Sequence, residues 1–462
     1  MCGIVGVISN KSSVPNFLYE ALFHLQHRGQ HSSGIATLSS NQKFLIVKKL
    51  GILENIIPDV SKLSGNIGIG QLRYPTSGLL HESEIQPFRQ DNIVLCHNGN
   101  ISNYEILTKN LSISLSTKSD SELILQLFSQ KLKSYGGNIN DDIIKQIIVE
   151  LSNILKGSYS VVMLIQNFGL VAFKDPHGIK PLVFGSNQSK NTFIISSESV
   201  SITCQNYDFA IIDEIQAGEV VIFHQNLKSL DPKRYIYNQK ELKPCIFEWI
   251  YTMRAESIFQ KICVYEARLK MGEYLAHKIR KELKEELKSI DLIIPVPETS
   301  KPVATRMAEV LGIQYRDCIL KNRYIGRTFI MDNQKMRKKN IQRKLGVIRS
   351  IIEGKNILIV DDSIVRGNTM KHIVELLRKN NVNKLYVASC APPIRYQNVY
   401  GIDLPTKKEL IASGKTINEI GVELGVDKLI YLDINGIQKA LCDLNPKLTT
   451  FEMSMFTGKY LD

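Results

Sequence analysis

Ile357-Leu358-Ile359-Val360-Asp361-Asp362-Ser363-Ile364-Val365-Arg366-Gly367-Asn368-Thr369 decides how the second half of this chain folds. Four apolar residues, three of them β-branched, predict a short buried strand. Two carboxylates stand at its C-terminal end, followed by a hydroxyl, a glycine and Thr369. The run Met370, Ile373, Val374, Leu376 and Leu377 then has helical spacing. Ligands of open α/β sheets sit at the carboxyl ends of the strands. A small-residue turn opening a helix offers free backbone N–H groups and the positive end of a dipole to a phosphate. The carboxylates do not bind that phosphate; they suit vicinal sugar hydroxyls, a magnesium ion, or both. The stretch therefore reads as a loop for a phosphorylated sugar. It lacks the Gly-Lys-Ser/Thr ending of a Walker loop.

The segment Asp361–Thr369 resembles the loop with which type I phosphoribosyltransferases bind 5-phosphoribosyl 1-pyrophosphate (PRPP). Its form is similar to that of the amidophosphoribosyltransferase family. The resemblance implies PRPP binding by Asp361, Asp362, Ser363, Arg366, Gly367, Asn368 and Thr369. It also implies a particular N-terminus, which the rest of the chain tests.

A chain of 462 residues predicts two or three domains, each with enough apolar residues for a core. Eight scattered cysteines form no Cys-x-x-Cys pair, which argues against a disulfide framework or a compact zinc site and fits a reducing cytoplasm. No secretory n-region or h-region opens the chain, and no apolar run suits a membrane span. A net charge of +13 is compatible with nucleic acid. However, the basic residues concentrate in Lys321–Arg349, which favours a polyphosphate substrate and no nucleic-acid partner. No internal repeat is visible.

The chain begins Met1-Cys2-Gly3-Ile4-Val5. Only Met1 is expected to be lost, which places a thiol and a free α-amine on Cys2. A thiolate is the nucleophile, and an α-amine with a pKa near 8 can relay its proton without a histidine. Gln26-His27-Arg28-Gly29, after a helix starting near Pro15, resembles a segment of glutaminases with an N-terminal cysteine nucleophile. In that family the arginine at Arg73 holds the glutamine α-carboxylate, with Thr76 nearby. Arginine suits bidentate carboxylate recognition. Asn98 and Gly99 resemble the oxyanion segment, since an amide and a glycine N–H can both face a tetrahedral oxyanion. Ser119 and Glu122 predict a capping box, leaving Asp120 for the substrate α-ammonium that the family binds there. The strands and turns through Gly157–Val162, Lys174–Leu182 and Phe193–Ser201 match the family's α/β/β/α sandwich. Five such motifs in order, from residue 2, imply a glutamine amide-hydrolysing domain over residues 2–235.

Gln225–Lys243 reads as a linker or last hairpin, and Pro244–Glu248 as the entry to a phosphoribosyltransferase-type parallel α/β domain over residues 245–462. A strand from Asp291 to Pro295 and a helix from about Pro302 to Leu311 bracket a loop. That loop, Glu298-Thr299-Ser300-Lys301, resembles the family's pyrophosphate loop. The resemblance implies one Mg²⁺ per subunit, with Thr299, Asp361 and Asp362 at the metal. Residues 321–350 contain ten Lys or Arg and one acid. They resemble the family's mobile flap, with Lys321, Tyr324 and Arg327 over the substrate, where closure excludes water.

Many members hold an iron–sulfur cluster through four cysteines. Here Cys245 matches one position, but Glu452, Met455 and Asn398 stand at the others, so no cluster is expected. Tyr251–Ser257 also departs from the family's usual Tyr-Phe-Ala-Arg-Pro-Asp-Ser. The resemblance implies that glutamine and PRPP are converted to 5-phosphoribosylamine, glutamate and pyrophosphate, with ammonia passed between two sites. It further implies a cytoplasmic homodimer or homotetramer inhibited by purine nucleotides. Two other classes compete: a PRPP-sensing regulator, opposed by the intact glutaminase half, and a sugar-phosphate amidotransferase such as glucosamine-6-phosphate synthase, opposed by Val360–Ser363.

Overall fold

The computed structural model describes residues 2–74, 81–110, 114–204, 207–225, 231–322, 345–404 and 406–461. Thr76, Tyr324, Arg327 and most of the segment 321–350 lie outside the described residues.

The strands of the first half are β1 (Gly3–Ser9), β2 (Ser32–Leu38), β3 (Phe44–Leu50), β4 (Ile67–Arg73), β5 (Phe88–Gln90), β6 (Ile93–Ile101), β7 (Gly157–Ile165), β8 (Gly169–Lys174), β9 (Val183–Asn187), β10 (Thr192–Ser196), β11 (Phe209–Glu214), β12 (Glu219–His224) and β13 (Lys233–Ile236). Among the described residues they form a seven-stranded sheet, β11-β9-β10-β1-β4-β2-β3, and a six-stranded sheet, β13-β12-β8-β7-β6-β5. Side chains alternate across a strand, and β1 uses both faces. Ile4 and Ile8 meet Val94, Cys96, Val162 and Leu164 between the sheets. Val5 and Val7 meet Leu18 and Leu22 of the helix Pro15–His24. The far side of the second sheet is covered by helices Asp120–Ser134 and Asp141–Ile154, which pack Leu123, Phe128, Ile144 and Ile148 on Leu95, Val161 and Met163. The layers are α/β/β/α, as the sequence implies. The segment after β12 is a hairpin rather than a free linker, because β13 pairs back on it.

The second half begins with a small hairpin, β14 (Ile258–Phe259) and β15 (Ile262–Cys263), then the helix Val264–Leu283. Its sheet holds β16 (Leu292–Pro295), β17 (Gln314–Tyr315), β20 (Ile357–Asp361), β21 (Leu385–Ser389) and β22 (Lys428–Tyr431). They lie parallel in the order β17-β16-β20-β21-β22. Leu358 and Val360 face the helix Val264–Leu283, whereas Ile357 and Ile359 face the helix Asn368–Lys379. Both faces of β20 are covered, which is why it reads as an unbroken apolar run. The short strands β18 (Ile319–Lys321) and β19 (Leu345–Val347) pair antiparallel, Lys321 opposite Leu345, and close the base of the basic segment. Among the described residues no helix is long and apolar enough to cross a membrane.

The halves meet around a buried cation. Arg28 gives Nη1 to Glu198 Oε1 at 2.5 Å, and Nη1 and Nη2 to the two oxygens of Glu248 at 3.1 Å each. Lys180 Nζ adds a contact to Glu248 at 3.5 Å. Glu198 Oε2 also accepts from Arg254 N at 3.1 Å and Ser257 Oγ at 2.7 Å. The segment 251–257, which departs from the family pattern, is thus still docked on the first half.

Burial alone would raise the Glu198 pKa, but His27 and Arg28 outweigh it and hold the carboxyl well below its ordinary 4.5. A depressed folded-state pKa contributes stability above the unfolded value and loses it as pH falls toward the folded one. Removing one partner of a buried ion pair costs about 3–5 kcal/mol. Glu198→Gln is therefore expected to lose about that much in urea denaturation near neutral pH. The gap from the parent should narrow as pH drops below 4.5. A gap independent of pH would show that Glu198 is not an ion-pair partner.

Candidate active sites

Cys2 stands at the head of β1, the strand flanked by β10 and β4. The register Gly3↔Leu72 sets Arg73, the last residue of β4, beside it. From the facing sheet β6 brings Asn98 and Gly99, which lie within a strand, opposite Ser160 and Tyr159. Cys2 N donates to Asn98 Oδ1 at 3.1 Å, and Arg28 Nε donates to Cys2 O at 3.0 Å. The main chain of Cys2 is therefore held on both sides. Its Sγ is 4.0 Å from Tyr74 O. Asn98 Nδ2 is buried and has no hydrogen-bond partner among the described residues. Leaving such a donor unmade costs roughly 1–3 kcal/mol. The Oδ1 bond to Cys2 N fixes the amide next to the thiol, where an oxyanion formed by thiol attack would develop.

Arg73 is buried and donates to Glu84 O at 2.7 Å and to Glu84 Oε2 at 3.3 Å. Asp120 opens its helix and accepts from Ile101 N, two residues beyond Gly99, through Oδ2 at 3.0 Å. Its Oδ1 lies 3.5 Å from Ser121 Oγ and 3.8 Å from His97 Nδ1. The structure thus brings Cys2, Arg73, Asn98, Gly99 and Asp120 together. The expected capping box does not form. Ser119 occupies the N-cap position without a side-chain cap bond. Glu122 instead accepts from N and Oγ of Ser116 and from N and Oγ1 of Thr117, at 2.6–2.9 Å. Four donors from the incoming loop displace the single one that the box offers.

The second site lies where β16 and β20 are neighbours. From there the chain leads to β17 on one side and to β21 and β22 on the other, so this is the switch point of the sheet. Val296 N donates to Val360 O at 2.8 Å, and the two loops start side by side. Asp361 and Asp362 are 8% and 9% exposed. Ser363 Oγ donates to Asp362 Oδ1 at 2.7 Å. Burial pushes both carboxyl pKa values up, and for Asp361 the charge of Asp362 adds to it. Hydroxyl donors or a cation would relieve that penalty. Gly367 caps the next helix at φ +76°, where a Cβ would come within 2.4 Å of Ile411 Cδ1. Asn368 and Thr369 expose the first turn of that helix. Arg366 is exposed and paired with Glu409 at 3.2 Å.

In the neighbouring loop Glu298 is exposed and Thr299 half-buried. Lys301 Nζ is 2.9 Å from both Glu298 and Asp317. Ser300 is fully buried and donates its hydroxyl to Val296 O at 2.5 Å, so that hydroxyl shapes the loop and faces no ligand. Lys321 is exposed at the base of the basic segment. Asp361, Asp362 and the Thr299 hydroxyl are hard oxygen donors and fit Mg²⁺, which takes its other ligands from water and phosphate. Among the described residues no group of three or more His, Cys, Asp or Glu could hold a metal unaided. A four-thiolate cluster does not fit this chain. Cys245 is bridged to Glu452, Asn398 Nδ2 donates to Glu452 Oε2 at 3.2 Å, and Met455 is buried beside them.

Sequence reasoning gave no role to Glu84, Arg28, Glu198 or Glu248. Glu248 carried a signal, a lone charge inside the apolar run Cys245–Ile250.

Two family models match the chain: a glutamine amidotransferase domain over residues 74–204 and a phosphoribosyl transferase domain over residues 266–426. The chain is 40% identical to the amidophosphoribosyltransferase of Pasteurella multocida, over 100% of this chain and 93% of that protein. It is 38% identical to that of Saccharomyces cerevisiae, over 100% of this chain and 92% of that one. Among solved structures it is similar to the glutamine PRPP amidotransferase of B. subtilis complexed with ADP and GMP. There the TM-score is 0.84 and the identity 31%, over 99% of this chain and 97% of that one. By these likenesses, which span both sites, the chain belongs to the amidophosphoribosyltransferase family.

Proposed function

We propose that this chain moves the amide nitrogen of glutamine to carbon 1 of PRPP, giving 5-phosphoribosylamine, glutamate and pyrophosphate, the first committed step of purine synthesis. What carries the reading is the unpartnered amide of Asn98 beside an N-terminal thiol, in one chain with a buried acid pair at a switch point. The glutaminase unit spans residues 2–235 and the phosphoribosyltransferase unit residues 245–462.

With Met1 removed, Cys2 N is an α-amine. It takes the thiol proton as Sγ attacks the amide carbon, and Asn98 Nδ2 and Gly99 N–H receive the oxyanion. Arg73 holds the α-carboxylate of glutamine, Thr76 is a further glutamine-binding residue, and Asp120 Oδ1 accepts from the α-ammonium. Ammonia leaves with the relayed proton, and water then hydrolyses the thioester to glutamate and restores the thiol. At the second site Asp361 and Asp362 orient the ribose hydroxyls. The amides of Ser363–Thr369 receive the 5-phosphate, and the loop Glu298–Lys301 faces the pyrophosphate with its main chain and with the side chains of Thr299 and Lys301, while the Ser300 hydroxyl holds the loop. Thr299, Asp361 and Asp362 would hold Mg²⁺, which would supply charge neutralisation to the departing pyrophosphate. Lys321, Tyr324 and Arg327 of the basic segment close over the substrate and exclude water. Positioning and electrostatics do most of the catalysis. The protein works in the cytoplasm as a homodimer or homotetramer, in keeping with eight cysteines free of disulfides. Purine nucleotides inhibit it; the B. subtilis neighbour is complexed with two, ADP and GMP.

With glutamine, PRPP and Mg²⁺ in one tube, glutamate and pyrophosphate should appear in equal amounts. Glutamate alone would leave only the first half of the reading standing. Cys2→Ala should abolish synthesis from glutamine while synthesis from added ammonia stays within about twofold of the parent. Asn98→Ala should lower kcat with glutamine about 10²- to 10³-fold with little change in KM, since the oxyanion exists only beyond the ground state. Asp362→Asn, or removal of Mg²⁺ by a chelator, should stop pyrophosphate release with either nitrogen source. If pyrophosphate release persists in both cases, the acid pair is not the PRPP site.

A further inference from the structure

One stretch of chain, residues 390–402, touches both sites. It begins on the PRPP loop, where Cys390 N donates to Asp361 O at 2.9 Å and Ala391 N to Asp362 O at 2.8 Å. It is anchored along its length. Arg395 N and Tyr396 N donate to Met455 O at 3.0 and 3.1 Å. Asn398 Oδ1 accepts from Tyr400 N at 2.8 Å and Ile402 N at 3.1 Å. It ends on the glutaminase strands. Asn100 Nδ2 donates to Val399 O at 2.9 Å, and Ser158 Oγ donates to Tyr400 O at 2.9 Å. Ser158 and Tyr400 are fully buried.

The last contact is between two main chains. Gly401 has φ +85°, and a Cβ there would lie 2.9 Å from both C and O of Gly99. On the other side, a Cβ on Gly99 would lie 2.1 Å from Ser158 O. The main chain of Gly99 is gripped between β7 and the strut, with room for hydrogen alone. The adjoining Asn98 carries the unpartnered Nδ2. Any motion of the Asp361–Asp362 main chain therefore has a bonded route to these donors.

Resting on the functional reading above, we propose that Gly401 is a positioning residue for the oxyanion donors Asn98 and Gly99. The strut 390–402 ties their alignment to the PRPP-binding carboxylates. Gly401 touches no reacting atom. It acts by fixing where the Gly99 N–H points, and misplacement of about 1 Å costs up to about 10²-fold in rate.

The test uses full-length Gly401→Ala and Ser158→Ala proteins, with kcat and KM for glutamine, the ammonia-dependent rate, and glutamate release with and without PRPP. For Gly401→Ala, kcat with glutamine should fall about tenfold or more while KM for glutamine stays within about threefold and the ammonia-dependent rate within about twofold. Ser158→Ala removes one anchor without adding an atom. It should bring the ratio of glutamate release with PRPP to that without PRPP closer to one than in the parent. Equal loss with both nitrogen sources in a folded Gly401→Ala protein overturns the proposal, since that is what a merely structural role would give. If Gly401→Ala does not fold, Ser158→Ala decides alone, and a parental ratio overturns the proposal. A parent that makes no pyrophosphate from PRPP would instead sink the functional reading itself.

Discussion

The buried guanidinium of Arg28 is the constraint on which the rest of this molecule depends. A charge with no exposed side-chain surface is tolerable only if every N–H has an acceptor. Its acceptors come from three places: Cys2 O at the head of β1, Glu198 after β10, and Glu248 at the entry to the second half. The penalty for leaving any of them unmade forces the chain terminus, the first half and the second half into one arrangement. Ile179 of the first half accordingly lies inside the apolar core of the second. Such a network adds less to net stability than to uniqueness, because an apolar replacement of equal shape could be just as stable.

Both sites follow one architectural logic. Each reacting group sits at a strand end, on a strand whose middle is buried on both faces. β1 delivers Cys2 at its N-terminal end, and β20 delivers Asp361 at its C-terminal end. The strands fix position; the ends supply unpaired main-chain and side-chain groups. The unpartnered Asn98 amide and the desolvated acid pair are two places where this chain accepts a cost, and both lie where a ligand would remove it.

Much of this was legible in the residues. The apolar run 357–360 with its small-residue turn set the parallel sheet and the ligand end, and Cys2 at the head of an apolar strand set the other. The spacing of Met370, Ile373, Val374, Leu376 and Leu377 marked the inner face of a helix, and the structure buries all of them but Leu376, which is half-buried. Local signals failed where the partner came from far along the chain. The Ser119–Glu122 spacing satisfied the capping rule, but residues 116 and 117 fold back with four donors that periodicity does not reveal. Arg73 pairs with Glu84, and Arg28 with Glu198 and Glu248 up to 220 positions away; no local pattern encodes such contacts. The reason for a glycine at 401 became visible only with Gly99 against it.

The carboxylate–amide pair at Glu452 and Asn398 has a practical consequence. These two side chains, with Cys245 and Met455, pin the end of the chain to the start of the second half by hydrogen bonds and apolar packing. An anchor of that chemistry assembles from the polypeptide alone. Glu452 N donates to Pro244 O at 3.0 Å and Ile246 N to Glu452 O at 3.3 Å, so main chain and side chains hold the same join. Loss of the last stretch of chain would therefore be felt at Pro244 and Cys245, where the second half begins.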